Sequence, residues 1–109
     1  MNKGEIWIID FPSRDGREQS GTRPSVIIGD TGTNLVLVVP LTSNLQALTK
    51  LPHTLKINKT KENNLDKESV ALILQLQTID KKRLILKIGS LEESYIREIN
   101  EEIKRLLGL

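Results

Sequence analysis

The sequence predicts a small, mainly β domain that finishes in one helix, built either as an antiparallel barrel or as a partly open sheet. Three observations carry this. The apolar runs are short, rich in Ile, Val and Leu, and bounded by Gly, Pro, Asn or Asp. Helical periodicity appears only beyond Ser90. Strands and helices do not alternate as a parallel sheet requires. At 109 residues and 12.3 kDa there is room for a single domain, residues 1–109, around one core. Aromatics are only 3% of the chain, so that core is expected to be aliphatic.

Glu5 to Phe11 (EIWIIDF) reads as a strand that Pro12 ends. Ser13 to Gly21 lacks apolar anchors and reads as a long mobile loop. Pro24–Gly29 and Leu35–Pro40 are compact apolar runs separated by Asp30-Thr31-Gly32-Thr33-Asn34, the pattern of a buried hairpin. Asn44–Pro52 reads as a loop with room for one helical turn, and His53–Ile57 as an edge strand. Thr60–Lys67 is polar and expected to face solvent. Ser69–Gln75 and Leu84–Ile88 complete the strands, joined by a turn or short helix over Thr78–Arg83. Ser90 with Glu93 three residues on has the form of a capping box. Ile96, Ile99, Ile103, Leu106 and Leu107 then mark an apolar helix stripe, with Glu93–Arg97 and Glu101–Arg105 as favourable pairs and Gly108 as the stop.

Composition removes several chemistries. Without cysteine there is no disulfide, thiolate metal site or cysteine nucleophile. His53, the single histidine, excludes a two-histidine nuclease mechanism within one chain, and its context favours a structural or exposed role. No histidine-rich or clustered carboxylate set is visible, so neither a metal nor a cofactor is expected. The N-terminus meets acidic residues too early for a signal peptide, and no apolar run approaches the roughly 20 residues that span a bilayer. A soluble, cytoplasmic protein with no membrane partner is expected.

Net charge is only +2, but it is unevenly placed. Thr31 to Lys61 contains no acidic residue and carries Lys50, Lys56, Lys59 and Lys61, whereas five glutamates follow Ser90. That separation suits a face that attracts phosphates, and equally an ordinary solvated surface.

Two segments hold the residues suited to chemistry: Gly16-Arg17-Glu18-Gln19-Ser20-Gly21-Thr22-Arg23-Pro24 and Val39-Pro40-Leu41-Thr42-Ser43. Guanidinium and hydroxyl groups can grip and polarise the oxygens of a phosphodiester. These segments, with the opening Gly4-Glu5-Ile6-Trp7, the run Gln75-x-x-Thr78-Ile79-Asp80-Lys81-x-Arg83-Leu84 and Ile88-Gly89, resemble the MazF/PemK/Kid family of toxin endoribonucleases along nearly the whole chain. The resemblance implies the SH3-like barrel of the plasmid-maintenance toxins with a C-terminal helix, a symmetric homodimer, and a cognate antitoxin whose acidic disordered tail lies in the dimer groove. It further implies metal-independent, sequence-specific cleavage of single-stranded RNA, leaving a 2′,3′-cyclic phosphate and a 5′-hydroxyl.

Arg23 and Thr42 match the family's catalytic pair. Arg17, Gln19, Ser43, Asn44, Gln75 and Thr78, in or beside its motifs, are candidate RNA-binding residues. RNA supplies its own nucleophile, the 2′-hydroxyl, so the protein must align it, accept a proton and stabilise charge on the phosphorus. Arginine is a poor proton acceptor, which leaves Glu18 as the nearby carboxylate able to serve if its pKa is raised. Relatives often carry an acid and an arginine where this chain has Leu74 and Gln77, a departure that puts base reading in doubt. Two alternatives stay open. One is a non-enzymatic poison resembling the gyrase-binding CcdB toxins, although the C-terminal Arg105-Leu106-Leu107-Gly108-Leu109 lacks their tryptophan. The other is an inactive RNA-binding module.

Overall fold

The computed structural model describes residues 1–12 and 21–109. Seven strands form one sheet: β1 (Glu5–Phe11), β2 (Gly21–Asp30), β3 (Leu35–Thr42), β4 (Thr54–Ile57), β5 (Ser69–Leu72), β6 (Gln77–Asp80) and β7 (Leu84–Ser90). A one-turn helix α1 (Ala47–Lys50) and a C-terminal helix α2 (Glu93–Leu107) complete the chain. The strand path is β4-β5-β3-β2-β1-β7, with β6 added to β3, and every pairing is antiparallel. Among the described residues β4 and β7 do not pair, so the sheet is open, the second of the two forms expected.

Alternation along the strands builds two apolar clusters on opposite faces. Ile6, Val26, Val39 and Leu41 join Ile57, Ala71, Ile73 and Ile99 on one face. Ile9, Ile27, Val36 and Val38 join Phe11 and Ile79 on the other. Because neighbours such as Val26 and Ile27 are buried in opposite directions, β2 and β3 read as continuous apolar runs rather than as polar–apolar alternation.

Helix α2 anchors to the first cluster through Ile99, fully buried, with Ile96, Ile103 and Leu106 packing around it. Burying one such side chain contributes about 1.5–3 kcal/mol. Gly108, at φ 73°, takes the left-handed turn that stops the helix.

Several local expectations are corrected. Ser90 stays in β7, paired with Glu5, so no capping box forms; Glu92 is the N-cap residue and makes no side-chain cap bond. Leu107 is mostly exposed. The helix ion pairs run from Glu101 to Lys104 and from Glu102 to Arg105, one residue closer than the expected spacing. Ile73–Gln75 is a 3-10 turn, and Gln77–Asp80 is a strand before a second such turn at Lys81–Arg83.

The Thr60–Lys67 segment is not simply solvent-facing. Asn63 is fully buried. Its Oδ1 accepts from the N–H groups of Thr60 and Leu65 at 2.9 and 3.2 Å, and its Nδ2 donates to the Asn58 carbonyl and Glu92 Oε1 at 2.9 and 3.2 Å. A polar side chain can sit at zero exposure because its hydrogen bonds are met in this way.

Candidate phosphodiester site

Pro24 and Pro40 shape the open end of the β2–β3 pair. Neither has an N–H to give to the ladder, and the pairing stops at Ser25↔Pro40. Carrying that register two residues further sets Arg23 opposite Thr42. Strand alternation also puts both side chains on one face, in line with Ser25 and Pro40. Thr42 then leaves β2 and pairs with Val70 of β5. A cavity of about 540 Å³ wraps this end; Arg23, Thr42 and Ser43 line it together with Ile8, Pro24 and Leu41. Thr42 also borders a smaller cavity of about 180 Å³ with Asn44 and Lys50.

The chemistry of Arg23 is unusual for a surface cation. It is half-buried, and its Nε is enclosed with no hydrogen-bond partner among the described residues. Burial pushes the guanidinium below its ordinary value, yet an arginine keeps its charge at neutral pH. Placing an unpartnered donor and positive charge in a partly desolvated position is unfavourable unless an anion completes it. Thr42 has a fixed environment: its Oγ1 accepts from the Asn44 N–H at 3.2 Å, while the Asn44 side chain accepts from the Gln46 N–H. The hydroxyl hydrogen remains able to donate elsewhere.

The other candidates distribute unevenly. Ser43 is exposed and lines the larger cavity; Asn44 lines the smaller one. Thr78 pairs with Leu37, roughly 17 Å along β3 from Thr42 at about 3.4 Å per residue, and alternation sends it to the opposite face. It therefore does not join Arg23 and Thr42 within one chain. Gln75 lies in the 3-10 turn, away from the larger cavity, with its carbonyl accepting from Gln77 Nε2 at 3.0 Å. Gln77, opposite Val38, shares the face of Thr42. Leu74 packs against the apolar group of Ala47, Val70 and Leu72. Arg17, Glu18 and Gln19 lie outside the described residues, as does the expected loop up to Ser20, while its last residue, Gly21, opens β2.

His53 Nδ1–H donates to Glu102 Oε1 at 3.0 Å, tying the start of β4 to α2, and His53 does not line the cavity. Among the described residues no group of three or more His, Cys, Asp or Glu could hold a metal ion, and no helix is long and apolar enough to cross a membrane.

Sequence reasoning missed the remaining lining of the cavity, Asn64, Leu65, Asp66 and Lys67, with Ser69 and Ile88. The available signal was Asn63-Asn64 followed by an isolated Leu65, a turn pair with an apolar anchor. Of the four lysines between Lys50 and Lys61, none lines this cavity, so the basic run is not its source of charge.

An open β-sheet with a terminal helix, carrying at one strand end a threonine and an arginine whose Nε has no partner among the described residues, defines a class of small, mainly β domains. Comparison makes it particular. Residues 2–107 match the family model described as PemK-like, MazF-like toxin of type II toxin–antitoxin system. Two curated proteins called Endoribonuclease MazF, from Staphylococcus saprophyticus and Staphylococcus epidermidis, are each 38% identical across all of this chain and 92% of their own length. The MazF crystal structure from Deinococcus radiodurans has the same fold, with a TM-score of 0.81 at 20% identity over 100% of this chain and 97% of that one. So does a mycobacterial endoribonuclease bound to its cognate antitoxin, at TM-score 0.74 and 20% identity over 98% and 94%. The chain belongs to the PemK/MazF family, the toxin half of type II toxin–antitoxin systems.

Proposed function

We infer that this toxin is a MazF-type endoribonuclease whose phosphodiester chemistry is carried by Arg23 and Thr42. The observation behind this reading is the pair's position at the end of adjacent strands, lining one cavity, with the Arg23 Nε left unpartnered among the described residues. Arg23 donates to the non-bridging oxygens of the scissile phosphate as negative charge builds there. The Thr42 hydroxyl adds a donor and fixes the phosphate so that the ribose 2′-oxygen attacks in line with the departing 5′-oxygen. The 2′-oxygen–phosphorus bond forms as the phosphorus–5′-oxygen bond breaks, giving a 2′,3′-cyclic phosphate and a 5′-hydroxyl. A base takes the 2′-proton, with Glu18 the candidate on sequence grounds, and the departing 5′-oxygen takes a proton back from the protonated base or from water to leave as the 5′-hydroxyl. No metal is required by this scheme.

The substrate is single-stranded RNA, read at a short motif with help from Arg17, Gln19, Ser43, Asn44 and Gln75. Two chains form a homodimer whose groove holds the strand, and the acidic tail of the cognate antitoxin occupies the same groove. A mycobacterial endoribonuclease of the same fold in complex with its cognate antitoxin supports an antitoxin partner.

Incubating purified protein with a long RNA in excess EDTA, then mapping new 5′ ends, tests the reading. Recurrent cleavage at one short motif with 5′-hydroxyl ends is expected. Random cleavage, cleavage abolished by EDTA, or intact RNA from folded protein would refute it.

A further inference from the structure

We propose that residues 64–67, which line the cavity together with Arg23 and Thr42, are part of the RNA-binding surface, and that Lys67 contacts a phosphate flanking the scissile one. The inference rests on the endoribonuclease reading and adds a residue to it. Lys67 lines the same cavity as Arg23, Thr42 and Ser43. It has no carboxylate partner among the described ion pairs.

The segment that presents Lys67 is held from several sides. Asn63 fastens it internally and to Glu92, the Asn64 amide donates to the Ile88 carbonyl at 3.0 Å, and the Ser90 N–H donates to the Glu62 carbonyl at 3.1 Å. Gly89 lets β7 approach so closely that no side chain fits between. A lysine on such a wall starts close to its phosphate, so little backbone ordering is lost on binding.

Asp66 lines the cavity too, and its charge repels the backbone that Lys67 attracts. The two neighbours thus set the wall's affinity in opposite directions. In the full chain, Lys67→Ala should raise KM for a cleavable RNA about three- to tenfold. It should also flatten the dependence of log KM on log salt by about 0.7, the contribution of one contact to single-stranded nucleic acid. Lys67→Arg should restore both. Asp66→Asn should lower KM, and kcat should stay within twofold throughout. A merely structural wall would not give shifts of opposite sign.

The result that would overturn the inference is an unchanged KM and salt slope in Lys67→Ala, a KM shift of the same sign in both variants, or a change in oligomeric mass that tracks the KM shift. Wild-type protein that cleaves no RNA would instead overturn the endoribonuclease reading, so the two failures are separable.

Discussion

Gly89 and Asn63 touch through their backbones: a methyl group on the Gly89 α-carbon would lie 2.6 Å from the Asn63 carbonyl oxygen and 2.7 Å from the Glu62 carbonyl oxygen. That approach ties the end of β7 to the segment whose residues 64–67 line the cavity with Arg23 and Thr42. A glycine is needed here for space, not for an unusual φ.

Gly89→Ala should therefore force backbone apart rather than a flexible side chain. Overpacking of this kind costs about 1–3 kcal/mol, and each kcal/mol shifts Tm by roughly 4–8 °C in a domain near 100 residues. Thermal unfolding followed by circular dichroism checks this. The same variant should weaken RNA binding, because residues 64–67 move with the contact.

Ser25, two residues beyond Arg23 on the same strand face, is fully buried, and its Oγ has no partner among the described residues. Replacing it with alanine removes an unsatisfied hydroxyl and leaves a small volume. Stability in urea should be unchanged or higher by up to about 1 kcal/mol. A loss of more than that would mean the hydroxyl is bonded in solution.

Glu5 is held below the usual carboxylate range, chiefly by the Trp7 indole N–H at 2.9 Å, with help from Lys87. Its folded pKa is lower than its unfolded one, so its stabilising effect is full above about pH 4.3 and fades as pH falls through the folded value. Trp7→Phe removes the largest contribution. The variant should be less stable at pH 7, and its deficit against wild type should narrow between about pH 5 and pH 3. Urea titrations across that range measure it, and a constant deficit would contradict the assignment.

How much was legible in the sequence differs by element. The β2–β3 hairpin was plain because Val26-Ile27-Ile28 and Val36 to Val39 bury residues on both faces, and α2 because Ile96, Ile99 and Ile103 keep one stripe. Strand β6 was hidden because only Ile79 of Gln77–Asp80 is buried, too little for periodicity to show. The capping box misled because Ser90 was already committed to β7, where its N–H reaches Glu62. At the site, Arg23 and Thr42 were found by motif, and their shared face follows from register, which spacing alone does not give. Thr78 could not be separated from them without that register. The 64–67 wall stayed hidden because its anchor, Asn63, is a buried amide whose four side-chain hydrogen bonds exist only after folding.

The central claim is that Arg23 and Thr42 act on one RNA linkage, and a double-mutant cycle on cleavage rate tests it most directly. Arg23→Ala alone should slow cleavage about 10²–10³-fold, the usual loss for one preorganised donor, and Thr42→Val should also slow it. Groups serving the same phosphate act as a unit, so the double variant should lose far less than the product of the single losses. Losses that multiply, or an Arg23→Ala protein that cleaves at the wild-type rate, would contradict the account.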